Sequence, residues 1–439
     1  MASTKITRTS ATSSEKKLTI STWVKKSTIL EEGLIGNTSD GANWAMFYFD
    51  GQNRLQFASY IGSSYVMRHT TNRKFNDPSA WYHLVGTVDV SLASPEVKIY
   101  VNGEQQTSLA YNITPSQNAD IGWFTNWDFE IGSMFGGTYF NGSLSDLYYI
   151  QGYIYPASTF GETDSTTGEW KPKTDPTINY GGNGGNSCHL KFENSANMDL
   201  DSGSNNISFS TSGTLTQTED CPDNVFATLN PLNAFYTNDT FSNGNNTVVT
   251  GSSTTGSKAT FVINTGKFYW EVKVISKTAG IDEYLVGIVG SESVATNNFV
   301  GQGSDGYGYY GASGAMYNNA ASSSYGASYT AGDILGVALD CTNSKLYISK
   351  NGAYQASGNP TAGSGGLTIV APSATGLGGY YPSATLWNTN SATFSYNFGN
   401  GTFGTTAVAS AGTNASSNGV FEYDVPTGYT ALSTKGLNL

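Results

Sequence analysis

The feature that most constrains this chain is a short phrase written twice. "VKIYVNG" (Val97 to Gly103) and "KLYISKNG" (Lys345 to Gly352) each alternate apolar and polar residues and end in Asn-Gly. Successive side chains of a strand point to opposite faces. Val97, Ile99 and Val101 therefore share one face against Lys98 and Tyr100, and Leu346 and Ile348 oppose Lys345, Tyr347 and Ser349. Asn-Gly tolerates positive φ at both central positions of a tight turn, which makes it a strong hairpin signal. Each phrase follows a run that is apolar on both faces, "WYHLVGTVDV" and "GDILGVALDC", as central strands of packed sheets are. A buried strand, a half-buried strand and a tight hairpin form the building rule of an antiparallel sandwich.

The rule holds beyond these phrases. Helical periodicity is almost absent, and runs such as "LTISTWVKKS" alternate between stretches of Gly, Asn, Asp and Ser. A chain of 439 residues exceeds one ordinary core. With 52 Gly, 13% aromatic and 12% charged residues it is β-rich and turn-rich, and too aromatic for disorder. The expected fold class is all-β, with two tandem antiparallel β-sandwich (jelly-roll) domains. The polar stretch "TSGTLTQTEDCPDN", broken by Pro222, divides the chain into domains 1–217 and 218–439. Residues 161–187 read as a long surface loop within the first domain, and 405–420 as a low-complexity loop before a last strand.

Charge and targeting narrow the function classes. A net charge of -12 repels phosphate backbones, so no nucleic-acid partner is expected. No apolar run reaches the roughly 18 residues of a membrane span, so no membrane insertion is expected. The opening "MASTKITRTSATSSEKK" lacks the apolar region of a secretion signal. Cys188, Cys221 and Cys341 make neither a metal spacing nor a disulfide framework, and a Cys188–Cys221 bridge is disfavoured in a reducing compartment. Cys341 reads as a small core residue.

The first half resembles the laminin-G-like, concanavalin-A-like jelly rolls. The resemblance is carried by "LTISTWVKKS", "WYHLVGTVDV", "VKIYVNGEQQ" and "FEIGSMFGGTYFNGSLSDLYYIQGYIYPASTF". That family opens with a strand matching "CHLKFENSANMDLDSGSNNISFS", which here comes afterwards, at Cys188 to Ser210. The resemblance thus implies a circular permutation, with 188–210 returning to the sheet beside the N-terminal arm. The second half resembles a SPRY domain, through "KFYWEVKV", "LVGIVG", "DGYGYYGASGAMYNN", "GDILGVALDCTNSKLYISKNG", "YYPSATLW" and "FSYNFGN". The two in this order, with "VFATLNPL" at the junction and "FEYDVPTGYTAL" near the end, resemble virion proteins of marine bacteriophages.

That resemblance implies a non-enzymatic structural protein exposed on the particle, made in the host cytoplasm without a signal peptide. A fibre or adhesin that binds host surface glycan or protein is the leading expectation. A purely architectural capsid decoration or cement protein is the first alternative, and a virion-associated polysaccharide hydrolase the second. The expected partners are other virion proteins and further copies of the chain, a trimer among the assemblies such proteins form.

Candidate sites follow from residue chemistry. Tyr307, Tyr309, Tyr310, Tyr317 and Tyr325 (with Tyr329) stand among Gly, Ser, Ala and Asn, the mixture of flat rings and adaptable hydrogen bonds that binding loops use. They are the expected ligand-binding set. Asp199 and Asp201 fall on the stretch matching the family's Asp-bearing turn, and are the candidate ligands for Ca²⁺; an Asx-type turn without metal is the alternative. No other cofactor is expected. Asp128 and Glu130 in "WDFEIG" share a strand face, as a hydrolase's carboxyl pair would, but the E-x-D-x-x-E run of the glucanase relatives is absent. His69, His83 and His189 lie in separate segments and read as structural.

Overall fold

The computed structural model describes residues 4–182, 184–233, 239–250, 255–280, 282–291, 299–386 and 391–438. Trp387 of "YYPSATLW" lies outside them. The chain divides into two compact units, Met1–Gln217 and Thr218–Leu439. Each contains two main sheets with a buried core, so the fold is all-β and sandwich-like.

In the first unit an eight-stranded sheet runs in the order Leu109–Ile113, Ser64–Lys74, Arg54–Ile61, Asn43–Phe49, Glu32–Asp40, Asp128–Ile131, Lys5–Thr9, Ser210–Ser212. A six-stranded sheet runs Cys188–Leu190, Gly142–Gln151, Lys17–Lys26, Trp81–Asp89, Glu96–Val101, Glu104–Gln105. Phe47, Phe57, Ile20, Leu84 and Trp123 are among the residues filling the core of this unit. Cys188–Leu190 pairs with the edge of one sheet and Ser210–Ser212 with Lys5–Thr9 of the other. The N-terminal arm is paired on both sides, by Asp128–Ile131 and Ser210–Ser212, and its Lys5 and Arg8 are engaged: Lys5 meets Glu130 at 2.9 Å, and Arg8 donates to Asn186.

The second unit has one sheet in the order Thr240–Ser242, Thr247–Val249, Ala392–Asn397, Lys267–Lys277, Ile334–Asp340, Lys345–Lys350, Ala353–Tyr354. The other runs Thr255–Lys258, Tyr381–Leu386, Tyr284–Val289, Gly306–Tyr310, Ala315–Asn318, Ala321–Ser324. Trp270 lies fully buried in its core. A buried indole removes about 200 Å² from water, worth on the order of 5 kcal/mol before entropic costs. Glu271, beside it in sequence, has no exposed surface and holds the C-terminal tail to the sheet. Its carboxylate accepts from the amides of Glu422 (2.9 Å) and Tyr423 (2.8 Å), from Asn397 Nδ2 and from Tyr269 Oη.

The repeated phrase has a single geometry. Asn102 and Gly103 adopt φ of 48° and 81°, and Asn351 and Gly352 adopt 48° and 82°, so both hairpins turn through two residues with positive φ. Each Asn also pins the preceding central strand. Asn102 exchanges hydrogen bonds with the backbone of His83, and Asn351 does so with Ile334. The echo is thus a shared local device on two different sheets.

The stretch 161–187 is more structured than a plain loop. Gly161–Thr163 pairs with Trp170–Pro172, and this hairpin lays the Trp170 ring over His83, with centroids 6.0 Å apart. Glycines make the room, since a Cβ at Gly103 would stand 2.7 Å, and one at Gly161 2.6 Å, from the indole. The three cysteines are free thiols, Cys188 and Cys341 buried.

Candidate functional site: the outward face of the eight-stranded sheet

Alternation decides which residues face away from the core of the first unit. Along Asn43–Phe49, Ala45, Phe47 and Phe49 enter the core, while Trp44, Met46 and Tyr48 point outward into a separate cluster. Residues directly opposite in neighbouring strands share a face, so the ladder register writes out rows on this outward face. One row is Asp128, Thr38, Trp44, Tyr60, Tyr65. The next is Glu130, Gly36, Met46, Ala58, Arg68, Ile113. A third is Tyr48, Gln56, Thr70, Tyr111. A bulge between Ser59 and Tyr60 keeps Tyr60 opposite Tyr65.

The aromatic row is tightly interlocked. Trp44 stacks on Tyr60 at 5.4 Å, and Tyr60 meets Tyr65 edge-on at 4.9 Å. Phe135, 49% exposed and held at a φ of 53°, leans edge-on over Trp44 at 6.1 Å. A bulky residue in the left-handed region is costly, and here it places a ring at the rim of the aromatic row. Tyr60 and Tyr65 are half-exposed and Tyr111 is 42% exposed.

Beside this row stands Arg68. Its guanidinium lies 4.5 Å from the Tyr65 ring centroid and 3.5 Å from that of Tyr111. Its Nε donates to Gln56 Oε1 at 3.0 Å, and buried Gln56 is itself fixed by Tyr48 Oη and Thr70 Oγ1. Neither Nη has a hydrogen-bond partner among the described residues. Arg54, by contrast, is closed: its Nε and Nη2 both bind Asp50 Oδ2, at 2.9 and 2.7 Å.

The carboxylates on this face are unlike a hydrolase pair. Asp128 is exposed. Glu130 binds Lys5 through Oε1, and Ser133 Oγ and the Gly136 amide through Oε2. Burial pushes its pKa up, but those hydrogen bonds more than reverse the push and hold the group below its ordinary value. A general acid needs the opposite.

The one serine–histidine contact in the first unit's second sheet is likewise wired against nucleophilic catalysis. Ser21 Oγ lies 2.8 Å from His83 Nε2, and Trp170 Nε1 donates to His83 Nδ1 at 3.1 Å. An indole N–H only donates, so Nδ1 must accept and the proton sits on Nε2, directed at Ser21. A serine-activating histidine needs Nε2 free to take the proton. Burial also drives the His83 pKa down to about 3. His69 is depressed to about 4 by the same cause, and His189 lies 3.3 Å from Asp146 and stacks on Tyr148.

The structure corrects the tyrosine set of the second unit. Tyr307, Tyr309 and Tyr325 are core residues at 4%, 0% and 8% exposure, as is Tyr329. Their hydroxyls serve the backbone: Tyr307 accepts from Val370 N, Tyr325 accepts from Ile348 N, and Tyr309 donates to Ala327 O. Rings enclosed in this way offer no face to a ligand. Tyr310 and Tyr317 lie half-exposed on the opposite side of the sheet, packed edge-on at 5.5 Å, with Phe299 against Tyr317. The strand period divides the set, since in Gly306–Tyr310 only Tyr307 and Tyr309 share the inward parity.

The two aspartates are committed within the chain. Asp201 Oδ1 accepts from the amides of His189 and Gly203, and Oδ2 from that of Ile207. Asp199 accepts from Thr211 Oγ1 at 2.6 Å. Asp201 thereby pins the 188–210 segment as an Asx-type anchor. Among the described residues no group of three or more His, Cys, Asp or Glu is placed to hold a metal.

Trp44, Tyr60, Tyr65, Arg68 and Tyr111 were not singled out from the sequence. The available signal was parity: in "NWAMFYF" the aromatic residues fall on both parities, which leaves Trp44 and Tyr48 outward once Phe47 and Phe49 are inside.

Comparison with known proteins agrees with this architecture. The concanavalin A-like lectin/glucanases superfamily matches residues 2–152, and the SPRY domain family matches residues 267–400. Ran-binding protein 9 of Danio rerio is 33% identical over 88 residues, 20% of this chain and 14% of that protein. Ran-binding protein 10 of the same organism is 32% identical over the same span. The chain therefore spans about one-seventh of the length of these relatives. The SPRY domain of human HERC1 is similar at 18% identity and a TM-score of 0.29, covering 38% of this chain and 96% of that one. The chain thus carries a concanavalin A-like domain followed by a SPRY domain.

Proposed function

We propose that the protein is a non-enzymatic virion component of a bacteriophage, displayed on the particle, that recognises host surface glycan or protein. The observation carrying this reading is the outward face of the eight-stranded sheet, where Trp44, Tyr60 and Tyr65 interlock beside Arg68 and Tyr111. Rigid aromatic rings give contact area at low entropic cost, which is what recognition surfaces require. The proton arrangement at Ser21 and His83 and the engaged state of Glu130 support a binding role over a hydrolytic one. The likeness to two-domain phage proteins supports the virion setting.

Adsorption of the purified, labelled chain to host cells tests the reading. The wild type is expected to bind saturably, and Tyr60→Ala/Tyr65→Ala to lose most of that binding while remaining folded, with the melting transition of the first unit lowered by the lost ring contacts. Undiminished adsorption of the double variant would move recognition off this face.

A further inference from the structure

The arginine on this face is presented in an unusual way. Tyr65 and Tyr111 cover its guanidinium, and Gln56 occupies its Nε. What remains is the edge carrying the two Nη groups. That edge is a planar fork of N–H donors, which matches an oxyanion bidentately. The supporting contacts are fixed in advance: Gln56 is fully buried and braced from two sides, so little freedom remains to be lost on binding.

Resting on the reading of this face as a recognition surface, we propose that Arg68 binds the acidic group of an anionic polysaccharide. A sugar-acid carboxylate or a sulfate ester would sit on the Nη edge, with sugar rings against the half-exposed Tyr65, Tyr60 and Tyr111. Charge complementarity favours this occupant. Of the carboxylates near this face, Asp50 is held by Arg54 and Glu130 by Lys5. Asp128 stands at the far end of the Tyr65 row, and Glu31 acts on Tyr48, so the Arg68 fork is left open to an external anion. The chain as a whole carries -12 and repels polyanions at long range. Recognition must then come from short, directional contacts of the kind this fork makes. A neutral glycan would leave the fork without a partner, and an acidic peptide would make little use of the ring faces beside it.

The test is calorimetric titration of the full chain at fixed ionic strength with polygalacturonate, its carboxyl-reduced neutral counterpart, dextran sulfate and poly-glutamate. The wild type is expected to bind polygalacturonate or dextran sulfate, whichever carries the right acid, and to bind the neutral polymer at least about tenfold more weakly. Arg68→Lys keeps the charge and loses the fork, and should cost about tenfold or more in affinity in a chain that remains folded, its melting transition lowered only by the loss of the hydrogen bond to Gln56. Tyr111→Ala removes one aromatic wall and should weaken binding in the same direction. Equal affinity for the neutral polymer, or Arg68→Lys matching the wild type, would overturn the acidic assignment. If Tyr65→Ala still weakened binding in that case, the recognition face itself would stand. Tighter binding of poly-glutamate than of either acidic polysaccharide would overturn the saccharide assignment, and no binding of any polymer would overturn the proposal outright.

Discussion

Glu271 allows a prediction whose magnitude follows from its surroundings. The residue is fully buried without a cationic partner, and desolvation raises its pKa from 4.5 to about 7 despite four hydrogen bonds that favour the carboxylate. The titratable groups near it are Tyr269, Tyr354 and Tyr423, neutral across the relevant range. A carboxyl with a raised folded-state pKa favours the folded state while protonated. Its contribution is full below about pH 4.5, where the unfolded group is also protonated, and is lost as pH rises through about 7. At about 1.4 kcal/mol per unit, the swing is on the order of 3 kcal/mol. The window is clean, because all three histidines lie in the first unit. Asp282, Asp333, Asp340 and Asp424 are shifted below the ordinary carboxylate range, so their contribution is complete before this window opens. Differential scanning calorimetry of the full chain between pH 5 and 8 should show one transition, that of the second unit, falling by roughly 5–10 °C. Glu271→Gln should abolish most of that slope. A flat transition in the wild type, or an undiminished slope in the variant, would refute the assignment of this pH dependence to Glu271.

Three further outcomes follow. Trp170→Phe removes the donor to His83 Nδ1, so nitrogen NMR should show the Nε2–H tautomer in the wild type and a mixture in the variant, at a stability cost of about 1 kcal/mol. Gly103→Ala combines a φ of 81° with a Cβ only 2.7 Å from the Trp170 ring, and should lower the melting transition of the first unit by more than the ~1–2 kcal/mol of the backbone term alone. Asp201→Ala strands three backbone amides and should cost on the order of 2–3 kcal/mol in urea titration, to the same extent with added CaCl₂ as with chelator. A Ca²⁺-dependent difference there would restore the metal reading of Asp199 and Asp201.

The strands were legible because their cause is local. "VKIYVNG" and "KLYISKNG" carry their alternation and turn residues within eight positions, and the structure gives both the same two-residue hairpin. The Trp170 hairpin was not legible, because its cause lies in glycines at 103 and 161 that matter only once the chain has returned over His83. The aromatic face proposed for recognition was missed for a related reason. Tyr65, Arg68, Gln56 and Tyr111 come from three strands, and only the ladder register brings them together. The tyrosines of "DGYGYYGASGAMYNN" attracted notice by density. Their parity separates the buried Tyr307 and Tyr309 from the half-exposed Tyr310, a distinction available in the sequence but outweighed there by composition.

Reconstruction of intact phage particles by electron cryomicroscopy tests the central claim most directly. Density for the chain is expected on the outside of the particle, with Tyr60, Tyr65, Arg68 and Tyr111 directed toward solvent. Absence of the chain from the particle, or its presence with that face sealed against a neighbouring subunit, would contradict it.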